Sequence, residues 1–408
     1  MRVVIERLGH LGDGIGHDEG GRALFVPLTL PGEVVEGEVR GDGLTNVRIV
    51  TPSPDRVRPP CPHYRTCGGC SLQHAADPFV AGWKQGVVVQ ALAAQGLTAA
   101  FRPIVTSPPR SRRRAVLAGH RTKTAAVVGF HGRASQTLVP VPECQLLLPE
   151  LMAALPVLQE ITRIGGSRKA GVSLNLTWSE AGFDLAVDGA KPADAPLRME
   201  LARLAAAHRI ARLTWNGDGV ALIAAPLQSF GAARVAPPPG GFLQATAGGE
   251  AALLAAVTEA VGQAKQIADL FAGSGTFALP LAARAEVLAV ESDAAMMAAL
   301  FKGWRQAVGL KRVTCETRDL YRRPLLPVEL NRFDAVVIDP PRVGAETQMA
   351  ELAASAVPVV ASVSCNPVTF ARDARALVAG GYRLNWVQVV DQFRWSPHVE
   401  MAALFTKG

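Results

Sequence analysis

Long apolar runs are missing from this sequence: nowhere do 18 apolar residues follow one another, so no membrane-spanning helix is expected. A signal peptide is missing too, because Met1 to Ile5 is too short an apolar run and charged residues follow at once. The expectation is a soluble, cytoplasmic protein, taken to be a monomer. Aromatic residues make up only 6% of the chain, and residues 1–52 show none of the exposed aromatics that a base-stacking surface uses. Cysteine is scarce, yet three of the six fall within ten residues, which in a chain without an export signal argues for metal ligation before disulfides. Acids are absent from Phe101 to Arg133, where eight cations stand: Arg102, Arg110, Arg112, Arg113, Arg114, Arg121, Lys123 and Arg133.

That acid-free block is an expected footprint for phosphate contacts. Lys and Arg exceed Asp and Glu by 42 to 35 over the whole chain, a weaker hint in the same direction. A length of 408 residues allows two or three domains. Residues 1–52 alternate short valine-rich strands with Gly-rich turns, the pattern of a small antiparallel barrel of the oligonucleotide-binding type. A Pro-rich connector, TPSPDRVRPP, follows.

The cysteine cluster lies in CPHYRTCGGCSLQH, where Gly68 and Gly69 let the backbone curl so that Cys61, Cys67 and Cys70 can face one point. Cys144, in a proline-flanked loop, is the natural fourth ligand, and four soft thiolates suit either zinc or an iron-sulfur cluster. His63 and His74 are spare candidates. Residues 61–240 read as an antiparallel α+β unit, with helices at 77–96, 145–160 and 195–208. No triad or paired carboxylates can be placed together there, so this unit is assigned no chemistry.

After the stretch APPPGG, residues 241–408 alternate strands and helices. QIADLFAGSGTFALPLA is strand, Gly-rich loop and helix, with the helix expected from Thr276. Gly273 and Gly275 permit the turn, and Glu291, at the end of the next strand, is placed to accept ribose hydroxyls. This pattern suits a dinucleotide or S-adenosylmethionine; the Asp269 carboxylate favours the second, since it would repel a pyrophosphate but pair with an ammonium group. Asp319, after a third strand, is placed to bond the adenine. The last two segments are joined too briefly for a crossover and must form an antiparallel hairpin. A mostly parallel seven-stranded sheet ending in such a hairpin is a Rossmann-like methyltransferase arrangement.

Two further strands, AVVI and VVASVS, end at Asp339 and Cys365, which places both on the rim where α/β sheets bind substrates. If the acceptor is a pyrimidine, its C5 is too weak a nucleophile until a thiolate adds at C6, and a base must then remove the C5 proton. Cys365 is the candidate nucleophile and Glu400 the candidate base, with Asp339 orienting the ring.

In their order along the chain, Phe242-x-Gln244, DLFAGSGTFALPLA, Glu291, DPPRVG, SCNPVTFARD and HVE resemble the signatures of the RNA uracil-5-methyltransferases, which methylate ribosomal RNA or the T-loop of transfer RNA. The likeness covers nearly the whole chain. It implies a TRAM-like RNA-binding barrel over 1–52, a [4Fe-4S] cluster on Cys61, Cys67, Cys70 and Cys144, and a catalytic domain over 241–408 that uses S-adenosylmethionine. By the same resemblance Cys365 is the nucleophile, Glu400 the base, and Asp339 and Arg342 contact the uracil. Gln244, Asp269, Phe271, Gly273, Gly275, Glu291, Asp319 and Asp339 lie around the methyl donor. The leading barrel favours 23S ribosomal RNA, with uridine 54 of transfer RNA as the alternative; a non-catalytic RNA-binding protein and a dinucleotide oxidoreductase are the readings of another class. Three departures stand out: AGSG for the usual CGNG, Ala245-Thr246 for Val-Asn, and Arg394-Trp395 in the segment before HVE, where the wall of the base pocket is expected to differ.

Overall fold

The computed structural model describes all residues from Met1 to Gly408. Residues 1–51 form β1 (Arg2–Val4), β2 (Arg7–Leu8), β3 (Gly14–His17), β4 (Ala23–Val26), β5 (Val34–Arg40) and β6 (Gly43–Thr51). Their order is β1-β5-β6-β4-β3-β2, antiparallel except where Phe25 of β4 meets Gly43 of β6. The sheet curls into a half-barrel over Val3, Ile5, Leu24, Val26, Val35 and Leu44. Gly16 lets it close, since a Cβ there would stand 2.4 Å from the Val4 carbonyl oxygen. One expectation fails: Phe25 turns 43% of its surface outward, so an exposed aromatic is present.

Next come α1 (Asp77–Ala94) and β7 (Ala100–Thr106), then β8 (Arg114–Arg121), β9 (Ala126–His131) and β10 (Leu138–Pro140). The helix expected over 145–160 is two, α2 (Pro149–Ala153) and α3 (Leu155–Gly165), because Pro156 has no N–H to continue the first. The unit ends with β11 (Val172–Ser179), β12 (Gly182–Asp188), α4 (Ala195–Ala207), β13 (Ile210–Trp215) and β14 (Asp218–Leu222). Its sheet, β10-β9-β8-β11-β12-β13-β14, is antiparallel except for β12 and β13, which α4 joins in parallel. A two-stranded hairpin follows, β15 (Gln228–Phe230) and β16 (Ala233–Val235).

The third sheet is built from α5 (Ala247–Ala260), β17 (Gln266–Leu270), α6 (Ala278–Leu281), β18 (Glu286–Glu291), α7 (Ala294–Gln306) and β19 (Val313–Thr317). It continues with α8 (Pro327–Leu330), β20 (Ala335–Ile338), α9 (Glu346–Ala354), β21 (Val359–Ser364), α10 (Pro367–Ala379), β22 (Tyr382–Asp391) and β23 (Glu400–Lys407). The order is β19-β18-β17-β20-β21-β23-β22-β7. Five parallel strands and the antiparallel hairpin β22–β23 match the expectation; the eighth strand does not. That strand, β7, comes from the stretch read as the central unit and pairs in parallel with β22, while α1 packs against α10. Buried Lys84 of α1 donates to Asp391, so the stretch 61–240 is not self-contained. The helix expected from Thr276 begins only at Ala278, since Pro280 cannot donate to the Thr276 carbonyl. No helix is long and apolar enough to cross a membrane.

Candidate active site

Strand register assembles the rim. Leu270 pairs with Ile338 and Ile338 with Ser362, so β17 and β20 end level while β21 runs two residues further, and the three release Phe271, Asp339 and Cys365 at one edge of the sheet. Ser364 pairs with Met401 and Val390 with Glu400, which brings Glu400 and Gln392 to the same edge. Three of these groups and Gln244 form one hydrogen-bonded chain. Gln392 Nε2 donates to Glu400 Oε2 at 3.0 Å and to Gln244 Oε1 at 2.5 Å, and Gln244 Nε2 donates to Asp339 Oδ2 at 3.5 Å.

Burial disfavours charge here. It raises Asp339, and it raises Glu400 to about 8 with help from the Asp339 charge. The Cys365 thiol is pushed up to about 11 by burial and by the Glu400 and Asp339 charges, against which Arg342 pulls it down. Arg342 is held in turn: its Nη2 donates to His398 Nδ1 at 2.6 Å, and its carbonyl accepts from Asn366 Nδ2 at 2.9 Å. Because Arg can only donate, His398 is neutral with its proton on Nε2; burial and Arg342 lower its pKa to about 4.

The glycine loop stands beside this rim. Asp269, fully buried at the end of β17, has both carboxylate oxygens without a hydrogen-bond partner, and its pKa is raised well above the usual carboxylate range by burial and by Asp339. Such a carboxyl calls for a cation, and S-adenosylmethionine carries two cationic centres, an ammonium and a sulfonium. Phe271 and Gly273 take φ of 62° and 55°, and Gly275 takes 98°, where a Cβ would meet Leu279 at 2.7 Å. Glu291 accepts from the Gly273 N–H at 3.1 Å through one oxygen and from Ser292 and Asp293 through the other, which braces the loop. Asp319 bonds the N–H of Tyr321 at 2.9 Å and so builds the turn that carries Tyr321 to within 5.5 Å of the Phe271 ring. Tyr321 had no sequence signal.

The basic block is largely used inside the protein, contrary to its reading as a phosphate-facing surface. Arg102 pairs with Glu259 and lies 3.7 Å over Trp386, and Arg113 pairs with Glu250. Arg113 and Arg114 donate to the carbonyls of Gln244 and Leu243 at 3.1 and 2.8 Å, so they position the Phe242–Gln244 segment. Arg112 is largely buried, and Arg133 donates to the Cys70 carbonyl. Lys123 remains exposed. A groove of about 610 Å³ instead joins Cys365, Arg342 and His398 to Arg7 and His10 of the half-barrel and Gln90 of α1, a junction that sequence spacing does not reveal.

Cys61, Cys67, Cys70 and Cys144 line one cavity of about 450 Å³. Burial and the neighbouring thiols push Cys70 up to about 12 and raise Cys67 and Cys144. No three His, Cys, Asp or Glu side chains converge closely enough to hold a single metal ion. His74 is occupied by the Tyr64 hydroxyl, and His63 Nε2 accepts from the Glu143 N–H. Trp395 does not wall the base pocket: it is buried beside Cys61, Cys70 and Tyr64, and its carbonyl accepts from the N–H groups of Ser71 and Leu72.

Comparison with known proteins gives concordant results. A family profile described as tRNA (uracil-5-)-methyltransferase matches residues 238–408, and a TRAM domain profile matches residues 1–39. A Brucella suis protein described as an uncharacterized RNA methyltransferase is 43% identical over 407 residues, covering 100% of this chain and 98% of its own. The Aeromonas salmonicida 23S rRNA (uracil(1939)-C(5))-methyltransferase is 31% identical over 441 residues, covering 99% of this chain and 96% of its own. Among solved structures, the Pyrococcus abyssi tRNA (uracil-54, C5)-methyltransferase with bound S-adenosyl-L-homocysteine has the same fold over 100% of both chains, with a TM-score of 0.76 at 22% identity.

Proposed function

We propose that this chain, which belongs to the RNA uracil-5-methyltransferase family and so methylates C5 of uridine in RNA from S-adenosylmethionine, works through a covalent adduct between Cys365 and C6 of the base. The observation that carries the reading is the gathering of Cys365, Asp339 and Glu400 at one rim, beside the unpartnered carboxyl of Asp269.

Cys365, as thiolate, forms the S–C6 bond, and the displaced electron pair makes C5 nucleophilic. Arg342 favours the thiolate, and Asp339 accepts the N3–H to hold the ring. S-adenosylmethionine, whose ammonium Asp269 would hold and whose ribose Glu291 would meet, with Gln244, Phe271, Gly273, Gly275, Asp319 and Asp339 around it, would supply the methyl group that C5 takes as the S–CH3 bond breaks and neutral S-adenosylhomocysteine leaves. Glu400 then removes the C5 proton, the C5–C6 double bond re-forms and the Cys365 thiolate leaves. Since the base must leave its stack to reach this rim, the groove toward the half-barrel is the path for the flanking RNA.

The half-barrel argued for 23S ribosomal RNA, but a transfer RNA enzyme shares the fold along the whole chain, so the barrel does not separate the two classes. The profile over 238–408 supports transfer RNA as the first substrate; the Aeromonas relative supports 23S ribosomal RNA as the second. The four thiols around a roomy cavity support a [4Fe-4S] cluster held by Cys61, Cys67, Cys70 and Cys144.

Mapping 5-methyluridine in transfer and ribosomal RNA from cells with and without the gene tests the substrate, and loss of the mark from neither RNA overturns the activity. Glu400→Gln, mixed with RNA from the deletion strain and the methyl donor, is expected to accumulate a protein–RNA adduct on a denaturing gel. Absence of a shifted band removes the assigned roles.

A further inference from the structure

Gln392 has no role in the chemistry just described, yet it touches both halves of it. Its carboxamide is fully engaged: Oε1 accepts from the Ala245 N–H at 2.8 Å, while Nε2 donates to Gln244 at 2.5 Å and to Glu400 at 3.0 Å. The amide cannot turn over, because that would set its NH2 against the Ala245 N–H and leave three buried groups mispaired. The backbone on either side is clamped as well, since Lys84 Nζ reaches both the Asp391 carboxylate and the Phe393 carbonyl, at 3.1 Å for the latter. Gly249 of α5 makes the room, for a Cβ there would lie 2.5 Å from Gln392 Cβ.

One fixed amide therefore sets the direction of every hydrogen bond in the chain. With Gln392 Nε2 pointing at it, Gln244 must accept through Oε1 and turn its own NH2 to Asp339. Glu400 has Oε2 held by an N–H, and no side chain engages Oε1. We propose that Gln392 is a positioning residue for the base: it holds Oε2 of Glu400 as a hydrogen-bond acceptor, so that the C5 proton is taken on Oε1, and it turns Gln244 toward Asp339. The inference rests on the covalent methyl-transfer reading. Atoms balance as in that reading, because the C–H bond at C5 breaks, the proton forms an O–H bond on Oε1, and the electron pair expels the Cys365 thiolate.

A donated N–H favours the charged form of Glu400, which burial opposes. The other charged or titrating groups that face Glu400 are Asp339 from the end of β20, Arg342 from the following loop and Cys365 from the end of β21. Loss of the amide therefore moves the base in a known direction, toward a higher pKa and slower proton removal at neutral pH.

The test uses the full-length protein and RNA from the deletion strain labelled with tritium at uridine C5. Gln392→Met, similar in size but without a donor, is expected to form the adduct, to release tritium about tenfold more slowly or worse at neutral pH, and to shift the pH midpoint of release upward by about one unit. Gln392→Glu, which keeps the acceptor toward Ala245 but adds an acid beside Glu400, is expected to shift it further and serves if the Met variant does not fold. A wild-type midpoint in a folded variant overturns the proposal, because a merely structural residue would change the amount of active protein and not the midpoint. If the wild type releases no tritium and Glu400→Gln gives no adduct, the underlying reading fails instead.

Discussion

The rim of the third sheet and the four-cysteine cavity are both places where polar groups are taken out of water, and they are built in opposite ways. At the rim each side chain sits at the end of a strand whose neighbours are in register, so its position follows from the ladder of β17, β20, β21 and β23. Around the cavity the cysteines sit in loops tied down by an isolated bridge between Cys67 and Gly132 and by a cluster of five buried residues. The rim is thus preorganised by the backbone, whereas the cavity is shaped by loops and a small cluster of buried side chains. The two are joined by the loop from Gln392 to Val399: Trp395 packs into the cysteine side, and His398 lines both the cavity and the groove to Cys365.

The contrast can be broken first at the proposed nucleophile, Cys365. Cys365→Ala is expected to lower turnover by roughly a thousandfold or more, with a melting temperature close to that of the wild type, because no packing depends on the thiol. If the four thiols hold the proposed cluster, Cys70→Ser should do the reverse: iron and sulfide are lost from anaerobically purified protein and melting falls by about 5 °C or more, since cluster binding and folding would be linked there. Stoichiometric zinc without iron in the wild type, read by metal analysis, would overturn the cluster assignment. Asp269→Asn is expected to weaken donor binding by about tenfold to a hundredfold in calorimetry. The unliganded variant should melt no lower than the wild type, because a buried carboxyl without a partner has been removed.

The smallest effect is in pH. Asp339 and Glu400 have raised pKa values in the folded protein, Glu400 to about 8, so between roughly pH 4 and 8 the native state keeps protons that the unfolded chain has released. His74 and His398, both lowered to about 4, act in the opposite sense up to about pH 6.5. Stability of the unliganded protein should therefore fall as pH rises from about 6.5 to 8, while the rate of C5-proton release rises if Glu400 is the base, which must be ionised to act. A denaturant series at several pH values checks the first, and tritium release checks the second. A stability that rose from about pH 6.5 to 8 would contradict the buried state of these carboxyls.

How far the site was legible depended on whether chemistry and strand ends coincided. Asp339 and Cys365 stand at strand ends before Pro340 and Asn366, Glu400 opens β23 two residues after His398, and their residue types match one reaction, so they could be named as candidates from the sequence. Gln392 and Tyr321 carry no such mark: each matters through a partner far away in the chain, Gln244 for one and Phe271 for the other. The basic block was misread because charge in a sequence does not say what it faces, and Arg113 and Arg114 turn inward to backbone carbonyls more than a hundred residues on. The strand β7 was placed in the wrong unit for a related reason, since an edge strand carries no signal of which sheet it joins.

The sequence by itself determined the reaction class, through motifs that resemble one family, and the succession of strands and helices in the catalytic half, because motifs and periodicity are local properties of the chain. Only the tertiary structure decided that Gln392 links Gln244 to Glu400, that the arginine block braces the active site, and that half-barrel and catalytic rim share one groove. Those facts are set by contacts between distant segments, and such contacts exist only after the hydrophobic faces of all three sheets have been buried.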